Sequence, residues 1–466
     1  MSKDTFAFSS ASLRSLRLEQ QLQDWEDARR ALAHRRTLTR APLPPAPRMP
    51  DHRRNQQATP TRPQQCCRDP TVHNTFLSGD ITRVYAVLQD PSMVNALMET
   101  VQEEMVWAPE MGMWTMASKA KQTSALRLAA GRGHAACVEE LLFRGAEADA
   151  SPGGSTALHD ACAGGHAACV QLLLAHGADP DRLAAADGSA PLHLCRTPQS
   201  LECARVLLEV GGASVNARSR DGELTPLHAA ARRGLEEHVA LLLRRGADVS
   251  ARNREGETPL NAACAGAERP AESARYLGAA RRLLAAGADP RTAGRKRHTP
   301  LHNACANCSA PIARALLQHG ASANAANCAG YTPMDCLLQV VEDFPDQQPE
   351  EVARWLLNYG AQPASPKMLK LCYLSPPTLE VMLNSYTAVP PCEDWIGSVP
   401  EELLKEHAPL FESAWLTSGQ PRSLQHLCRC ALRRHLGALC HSAVAELDIP
   451  SSLREYLLLA PEGRLH

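Results

Sequence analysis

The sequence predicts an all-α protein: a solenoid of stacked helix pairs with hairpin fingers between them, followed by a small helical domain at the C-terminal end. Three observations carry this prediction. A short motif returns seven times through the middle of the chain at a period near 33 residues. Apolar residues make up 44% of the chain but aromatics only 4%, so alanine and leucine must fill the core, which favours closely spaced helices. The C-terminal segment carries a leucine stripe at helical spacing.

Composition also narrows function. A chain of 466 residues with a formal net charge of −1 has room for a sizeable core and no general attraction for nucleic acid or an anionic membrane. No leader-like apolar stretch opens the chain and no run reaches the roughly 18 apolar residues a membrane span needs, so neither secretion nor membrane insertion is expected. Seventeen cysteines, an odd number scattered through helical patterns such as His159-Asp160-Ala161-Cys162, fit reduced and buried thiols. The expected compartment is cytosolic or nuclear.

Taken in order, residues 1–35 place Leu18, Leu22, Trp25 and Leu32 at helical spacing, an expected amphipathic helix. Residues 36–66 form a linker: between Arg36 and Gln65 stand seven prolines and six arginines against one acid, a composition expected to be disordered. Residues 67–123 read as a degenerate first repeat with an insertion. Val72-His73-Asn74-Thr75 stands in the motif's place, and Gly79 keeps the offset from His73 that Gly234 keeps from His228. Beyond it, Met93, Leu97 and Val101 predict a helix, with Trp107 and Trp114 packed on the first face of the array.

Residues 124–365 hold the repeats. The strongest copies are Thr225-Pro226-Leu227-His228 and Thr299-Pro300-Leu301-His302, with variants starting at Thr156, Ala190 and Thr258 and weaker ones at Ser124 and Thr332. Their first residues are separated by 32, 34, 35, 33, 41 and 33 positions. Threonine caps a helix, proline suits its first turn, histidine can tie neighbouring turns, and glycine ends the unit where φ must be positive. The 21-residue interval from Thr225 to Gly246 recurs from Ser124 to Gly145, Thr156 to Gly177 and Thr299 to Gly320. Thr258 to Gly287 spans 29 and Thr332 to Gly360 spans 28, which places insertions near 268–278 and 340–348, as loops or helix extensions. Signature and period are those of ankyrin repeats, whose apolar faces are buried only by stacking.

Residues 366–420 form a connector, helical at 369–386 and 401–416. The last segment, 421–466, places Leu424, Leu427, Cys428, Ala431 and Leu432 at i, i+3, i+4, i+7 and i+8, with Arg429, Arg433 and Arg434 turned away. Pro421 and Ser423 supply a stop and an N-cap. Downstream stands Leu447-Asp448-Ile449-Pro450. The spacing Ser-Leu-x-x-x-Cys-x-x-x-Leu resembles the elongin-binding box of SOCS-box proteins, and Leu447, Ile449 and Pro450 resemble the cullin-5 box that follows it. Over nearly its whole length the chain is similar to the ankyrin repeat and SOCS box family. That resemblance implies a non-catalytic substrate-recognition subunit of a cullin-RING ubiquitin ligase, in which the repeats hold an unidentified protein substrate. Leu424 would enter an apolar pocket of elongin C, which brings elongin B, with Leu427, Cys428, Ala431 and Leu432 completing the contact. Leu447, Ile449 and Pro450 would meet cullin-5 with its RING partner. One departure stands out: the family's cullin box usually has proline where this chain has Asp448, which removes a φ constraint and adds a charge. The elongin contact therefore has more support than the cullin-5 contact.

Other readings of the same residues stay open. The terminal helix could pack its stripe on the 403–411 region and merely cap the array, leaving an ankyrin scaffold or adaptor without a ligase role. Cys428, Cys430, His435, Cys440 and His441 scatter around a helix axis rather than converging as zinc ligands, and Cys305 with Cys308 is one pair only. His159, His193, His228 and His302 recur at the repeat's hydrogen-bonding position without an accompanying nucleophile or phosphate loop, so no catalytic residue, metal or cofactor is expected. Successive fingers carry Arg218 and Arg220, then Arg252 and Arg254, then Arg295, Lys296 and Arg297, partly offset by Asp221, Glu223, Glu255 and Glu257. They are expected to form a basic strip for an acidic protein segment, with a plain solvated surface as the alternative.

Overall fold

The computed structural model describes residues 66–465, apart from 109–112, 295, 392–395 and 398. The helix expected at 1–35, the linker before Cys66 and the fingertip Arg295 lie outside the described residues.

The first helix pair is α1 (Pro70–Ser78) and α2 (Ile81–Val87), each started by an aspartate: Asp69 and Asp80 accept the backbone N–H of Thr71 and Thr82 at 2.8 and 3.1 Å. A two-residue strand, β1 (Cys66–Cys67), precedes it, and two long strands follow, β2 (Leu97–Ala108) and β3 (Met113–Ser124). They pair antiparallel from Leu97 with Ser124 to Ala108 with Met113, while β1 joins β2 in parallel at Leu97 and Met98. This corrects the helix expected over Met93, Leu97 and Val101. Trp107 and Trp114 are instead cross-strand partners. The physical reason is Thr100, Val101, Val106 and Trp107 in the first run and Trp114, Thr115 and Thr123 in the second, residues that fit a pleated ladder better than a helix, with Pro109 and Gly112 between the runs. The hairpin occupies the place of a finger between the first two helix pairs, greatly lengthened.

The remaining pairs are α3 (Ala125–Arg132) with α4 (Ala135–Phe143) and α5 (Ala157–Gly164) with α6 (Ala167–Ala175). Next come a 3-10 turn (Pro191–Leu194) with α7 (Leu201–Glu209), then α8 (Pro226–Arg232) with α9 (Glu236–Arg244). The array ends with α10 (Pro259–Gly266) and α11 (Ser273–Ala285), α12 (Pro300–Ala306) and α13 (Ala310–Gln318), and α14 (Pro333–Leu338) and α15 (Pro349–Asn358). The unit starting at Ala190 lacks a full first helix because Thr197, preceding Pro198, is forced to extended backbone at φ −128 and ψ 153. The insertion near 268–278 becomes a 3-10 turn (Pro270–Glu272) and a lengthened α11, and the one near 340–348 becomes two 3-10 turns.

Stacking supplies the core. Leu158, Leu227, Leu260, Leu283 and Leu301 are fully buried in one apolar cluster that runs from Phe76 to Leu465. Each such leucine contributes about 1.5–3 kcal/mol relative to an exposed one. Two polar ties fix the stacking register. In the unit starting at Thr225, the Nδ1 of His228 accepts the Thr225 backbone N–H at 3.3 Å, which leaves Nε2 to donate to the Glu257 carbonyl at 3.0 Å. Glu257 immediately precedes the next threonine cap, and the same bond joins His159 to Ser189, His193 to Leu224 and His302 to Tyr331. Asn261 imitates it, its amide oxygen on Thr258 N–H and its amide nitrogen on the His298 carbonyl. The second tie runs from Asn216 to the Gly246 carbonyl and from Asn324 to the Gly360 carbonyl; Asn95 makes it to Gly145, which marks α1 and α2 as a true unit of the array.

After the array come a 3-10 turn (Pro366–Leu371), α16 (Pro376–Leu383), α17 (Glu401–Glu406) and α18 (Ala408–Thr417). Prolines break what the sequence suggested as two helices: Pro376 and Pro377 start a new one, and Pro409 separates α17 from α18. The chain then forms α19 (Leu424–Leu436), α20 (Cys440–Glu446) and α21 (Ser451–Leu457).

Candidate functional site

Helix α19 starts where Ser423 Oγ accepts the His426 backbone N–H at 3.2 Å, and it ends with Arg433, Arg434 and His435 in its last turn, complementing the negative end of the helix dipole. Its two faces are used in opposite ways. Leu424 is 78% exposed, Leu427 39% and Leu432 37%, and Cys428 and Ala431 between them also face solvent. All five residues of the stripe thus lie together on an uncovered face, not against the 403–411 region. Cys428 is small enough to let a partner approach between the leucines.

The opposite face is polar and buried. Arg429 is 3% exposed and His426 is wholly inside. Arg429 and Arg433 are indeed turned away from the stripe, but into the protein, whereas Arg434 is exposed. Arg429 and Arg422 each donate to the Asn384 side-chain oxygen at 3.0 Å, and both donate to His426 Nδ1, at 2.8 and 3.0 Å. His426 is therefore neutral at Nδ1, and its Nε2 donates to the Tyr386 carbonyl at 2.8 Å. Burial pulls the Arg422 guanidinium down to about 10, and shifts Arg429 and Arg433 in the same direction. Sequence reading missed this face. Its signal was present in the helical spacing of Arg422, His426, Arg429 and Arg433.

Downstream, Leu447, Asp448 and Pro450 are exposed, while Ile449 is half-buried against a small second core of Cys440, Val444 and Leu457. Leu447 and Pro450 therefore remain available at the surface beside α21. The cysteines and histidines of this segment are dispersed rather than converging on one point: Cys428 is exposed, Cys440 is buried, and His441 packs at a tilt against Trp355. Among the described residues no cluster of three or more such side chains could hold a metal.

The fingers form a second surface. Neighbouring fingers are joined through backbone hydrogen bonds, Arg220 N to Gly188 O, Arg254 N to Gly222 O and Cys328 N to Lys296 O. Gly188 permits the first of these contacts: its φ is +64, and an added Cβ would lie 2.2 Å from that of Arg220. Arg218, Arg220, Arg252, Arg254, Lys296 and Arg297 are all exposed. Three of them also stitch fingers together. Arg218 donates to the Arg252 carbonyl at 3.1 Å, Arg252 to Ala293 at 3.4 Å and Arg254 to Arg220 at 2.9 Å. Arg218 is in addition 3.4 Å from Glu223. Arg218, Arg252 and Arg254 are thus held in place by the neighbouring fingers, while all six side chains stay exposed.

The four repeat histidines, by contrast, have no access to a substrate. They are buried, both ring nitrogens are engaged, and burial holds each below the ordinary imidazole value.

Comparison with known proteins places both parts of the chain in described families. A family profile described as SOCS box matches residues 420–458; one for ankyrin repeats in three copies matches 85–184, 126–219 and 271–367, and a single ankyrin repeat matches 223–254. Ankyrin repeat and SOCS box protein 16 of Homo sapiens is 50% identical over 463 residues, 99% of each chain. Its Mus musculus counterpart is 50% identical over 466 residues and 100% of both. Ankyrin repeat and SOCS box protein 18 of Homo sapiens is 46% identical over 413 residues, 86% of this chain and 88% of that one. The crystal structure of the human ASB11 ankyrin repeat domain aligns with 46% of this chain and 91% of that one at 28% identity, with a TM-score of 0.41.

Proposed function

This chain belongs to the ankyrin repeat and SOCS box family, and from that premise we propose that it joins a protein substrate, held by its repeats, to elongin C through the exposed face of α19. In general terms it is a substrate receptor of a cullin-RING ligase, an adaptor rather than a catalytic enzyme. The observation that carries the finer reading is the uncovered stripe of Leu424, Leu427, Cys428, Ala431 and Leu432 on a helix whose opposite face is turned inward and hydrogen-bonded through His426 and Arg429. Leu424 is the anchor, since burying one such leucine is worth about 1.5–3 kcal/mol. Elongin C brings elongin B, and Leu447, Ile449 and Pro450 are the contact for cullin-5 with its RING partner, weakened where Asp448 replaces a rigid proline. Acceleration of ubiquitin transfer then comes from proximity, with the chemistry supplied by other subunits.

The fingertip strip is the substrate surface in this reading, and an acidic protein segment is the ligand its charge favours. Cys137, Cys162, Cys169, Cys264 and Cys305 are free, buried thiols, which suits action in the cytosol or nucleus. Co-purification of the intact chain with elongin B and elongin C tests the docking half: the native chain should capture both, and Leu424→Asp should capture neither while keeping its melting temperature. Capture of equal amounts by the variant would contradict the assignment. Arg254→Glu with Lys296→Glu tests the other half, and should abolish substrate labelling in a proximity experiment without affecting elongin capture.

A further inference from the structure

The C-terminal box is fastened to the last repeat and to the connector at three separate places. On one side His441 of α20 packs 4.7 Å from the Trp355 ring and 5.8 Å from that of Tyr359, both on or just after α15, and Arg314 of α13 covers Trp355 at 4.7 Å. At the centre, Arg433 donates to the Asn358 side-chain oxygen at 2.6 Å, Asn358 donates to the Leu458 carbonyl at 3.2 Å, and Asn384 receives the two buried guanidiniums of Arg422 and Arg429. On the far side the chain beyond α21 returns to the connector. The two oxygens of Glu380 on α16, itself 2% exposed, accept the backbone N–H groups of Glu462 and Gly463 at 2.7 and 2.9 Å, and Leu465 N–H donates to Ser413 Oγ at 2.9 Å.

One attachment would leave the box free to swivel, and two would leave an axis of rotation. Three, on α15, on the α16 end and on the α16–α18 side, leave none. The chemistry resists opening as well, because swinging the box away would strand buried guanidiniums on one body and a buried carboxylate on the other, each without the hydrogen bonds that replace its water. Simple cohesion would have been met by leucines. A set of directional hydrogen bonds selects one orientation.

We infer that Asn384, Arg429 and Glu380 are positioning residues for ubiquitin transfer: they hold the elongin-docking face at a fixed angle to the repeats and so restrict which lysines a ligase built on this chain can reach. The inference rests on the ligase reading for its consequence, but not for the clamp. The chain carries few lysines, and Lys296, Lys367, Lys370 and Lys405 lie at different distances along it from the box, so its own modification reports the geometry.

The test uses the full chain and three variants. Asn384→Ala removes the acceptor shared by two guanidiniums, Asn384→Asp keeps that acceptor and adds a charge, and Glu380→Gln loosens the far attachment. Hydrogen exchange in the chain alone should be at least ~10-fold faster at 424–436 and 460–465 in Asn384→Ala, unchanged at 225–320, and restored in Asn384→Asp. Glu380→Gln should show the faster exchange at 460–465, and so keeps the test open if the first variant unfolds the connector. In the assembly with elongin B, elongin C, cullin-5 and a RING partner, self-ubiquitination should fall on a narrow set of lysines in the native chain and in Asn384→Asp, and spread over more of them in Asn384→Ala. Unchanged exchange at both segments in both loosening variants would overturn the clamp. Altered exchange with an identical lysine pattern would overturn its role in transfer. Failure of the native chain to bind elongin at all would overturn the ligase reading, and the exchange result would still report the clamp.

Discussion

Helix α8 in the array and helix α19 in the terminal box begin in the same way and end up facing opposite surroundings. Each opens with a hydroxyl cap, Thr225 or Ser423, that accepts the N–H of a histidine three positions on, and each of those histidines is buried and donates through Nε2 to a backbone carbonyl of a neighbouring element. In α8 the leucine beside the histidine, Leu227, is buried as well, because the adjoining repeats cover it. In α19 Leu424 stands in solvent, and the contact with the rest of the chain is made by arginines. A capped amphipathic helix alone does not decide which of its faces goes inside. What decides is the neighbour the chain provides, and where a polar stripe satisfies that neighbour the apolar stripe is left in solvent.

The comparison can be broken most forcefully inside the array. Leu301→Ala should cost about 2–5 kcal/mol, since the site is enclosed on all sides and cannot collapse onto the cavity. Thermal unfolding would show it as a clear fall in melting temperature, and a change within experimental scatter would mean the stacked leucines do not carry the array. A smaller effect is expected for Thr225→Ala, which removes the cap oxygen and the hydroxyl that faces His228 Nδ1 at 2.8 Å; the loss should be about 1 kcal/mol in a urea titration.

Acid sharpens the same contrast more gently. Burial lowers His159, His193, His228 and His302, and takes His238 down to about 4, whereas in the unfolded chain each returns to the ordinary value of 6.5. As pH falls through 6.5 the unfolded chain binds protons that the folded array refuses, so stability should decline from there toward pH 4 and stay flat above pH 7 with respect to these groups. Chemical denaturation at a series of pH values would check the sign; a rise in stability on acidification would contradict the tautomer assigned to the repeat ties.

Much of this architecture was legible in the sequence, for a local reason. Six of the seven motif copies open on a capping hydroxyl, four carry the histidine and all close on a glycine, so periodicity alone located most of the helix pairs and the two insertions. The hairpin of β2 and β3 was not legible in the same way: Met93, Leu97 and Val101 satisfy a helical spacing, while the β-branched and aromatic residues around them favour a ladder, and the second preference prevailed. The leucine stripe was readable because its residues share one helix. The arginine face was not, since Asn358, Asn384 and Tyr386, which receive it, come from elements separated from α19 by 40 or more positions. The Arg218, Arg252 and Arg254 side chains were readable as charge, but their second task of joining fingers depends on carbonyls in the neighbouring finger.

The central claim is that the apolar face of α19 is for binding and contributes little to folding. Calorimetric titration of the elongin B and C pair into the intact chain and into Leu424→Ala, with a thermal melt of each, tests it most directly. The account predicts equal melting temperatures and a dissociation constant raised roughly 10- to 100-fold in the variant, the equivalent of one buried leucine. A lowered melting temperature with unchanged affinity would contradict it, and would return Leu424 to the role that Leu227 has in the array.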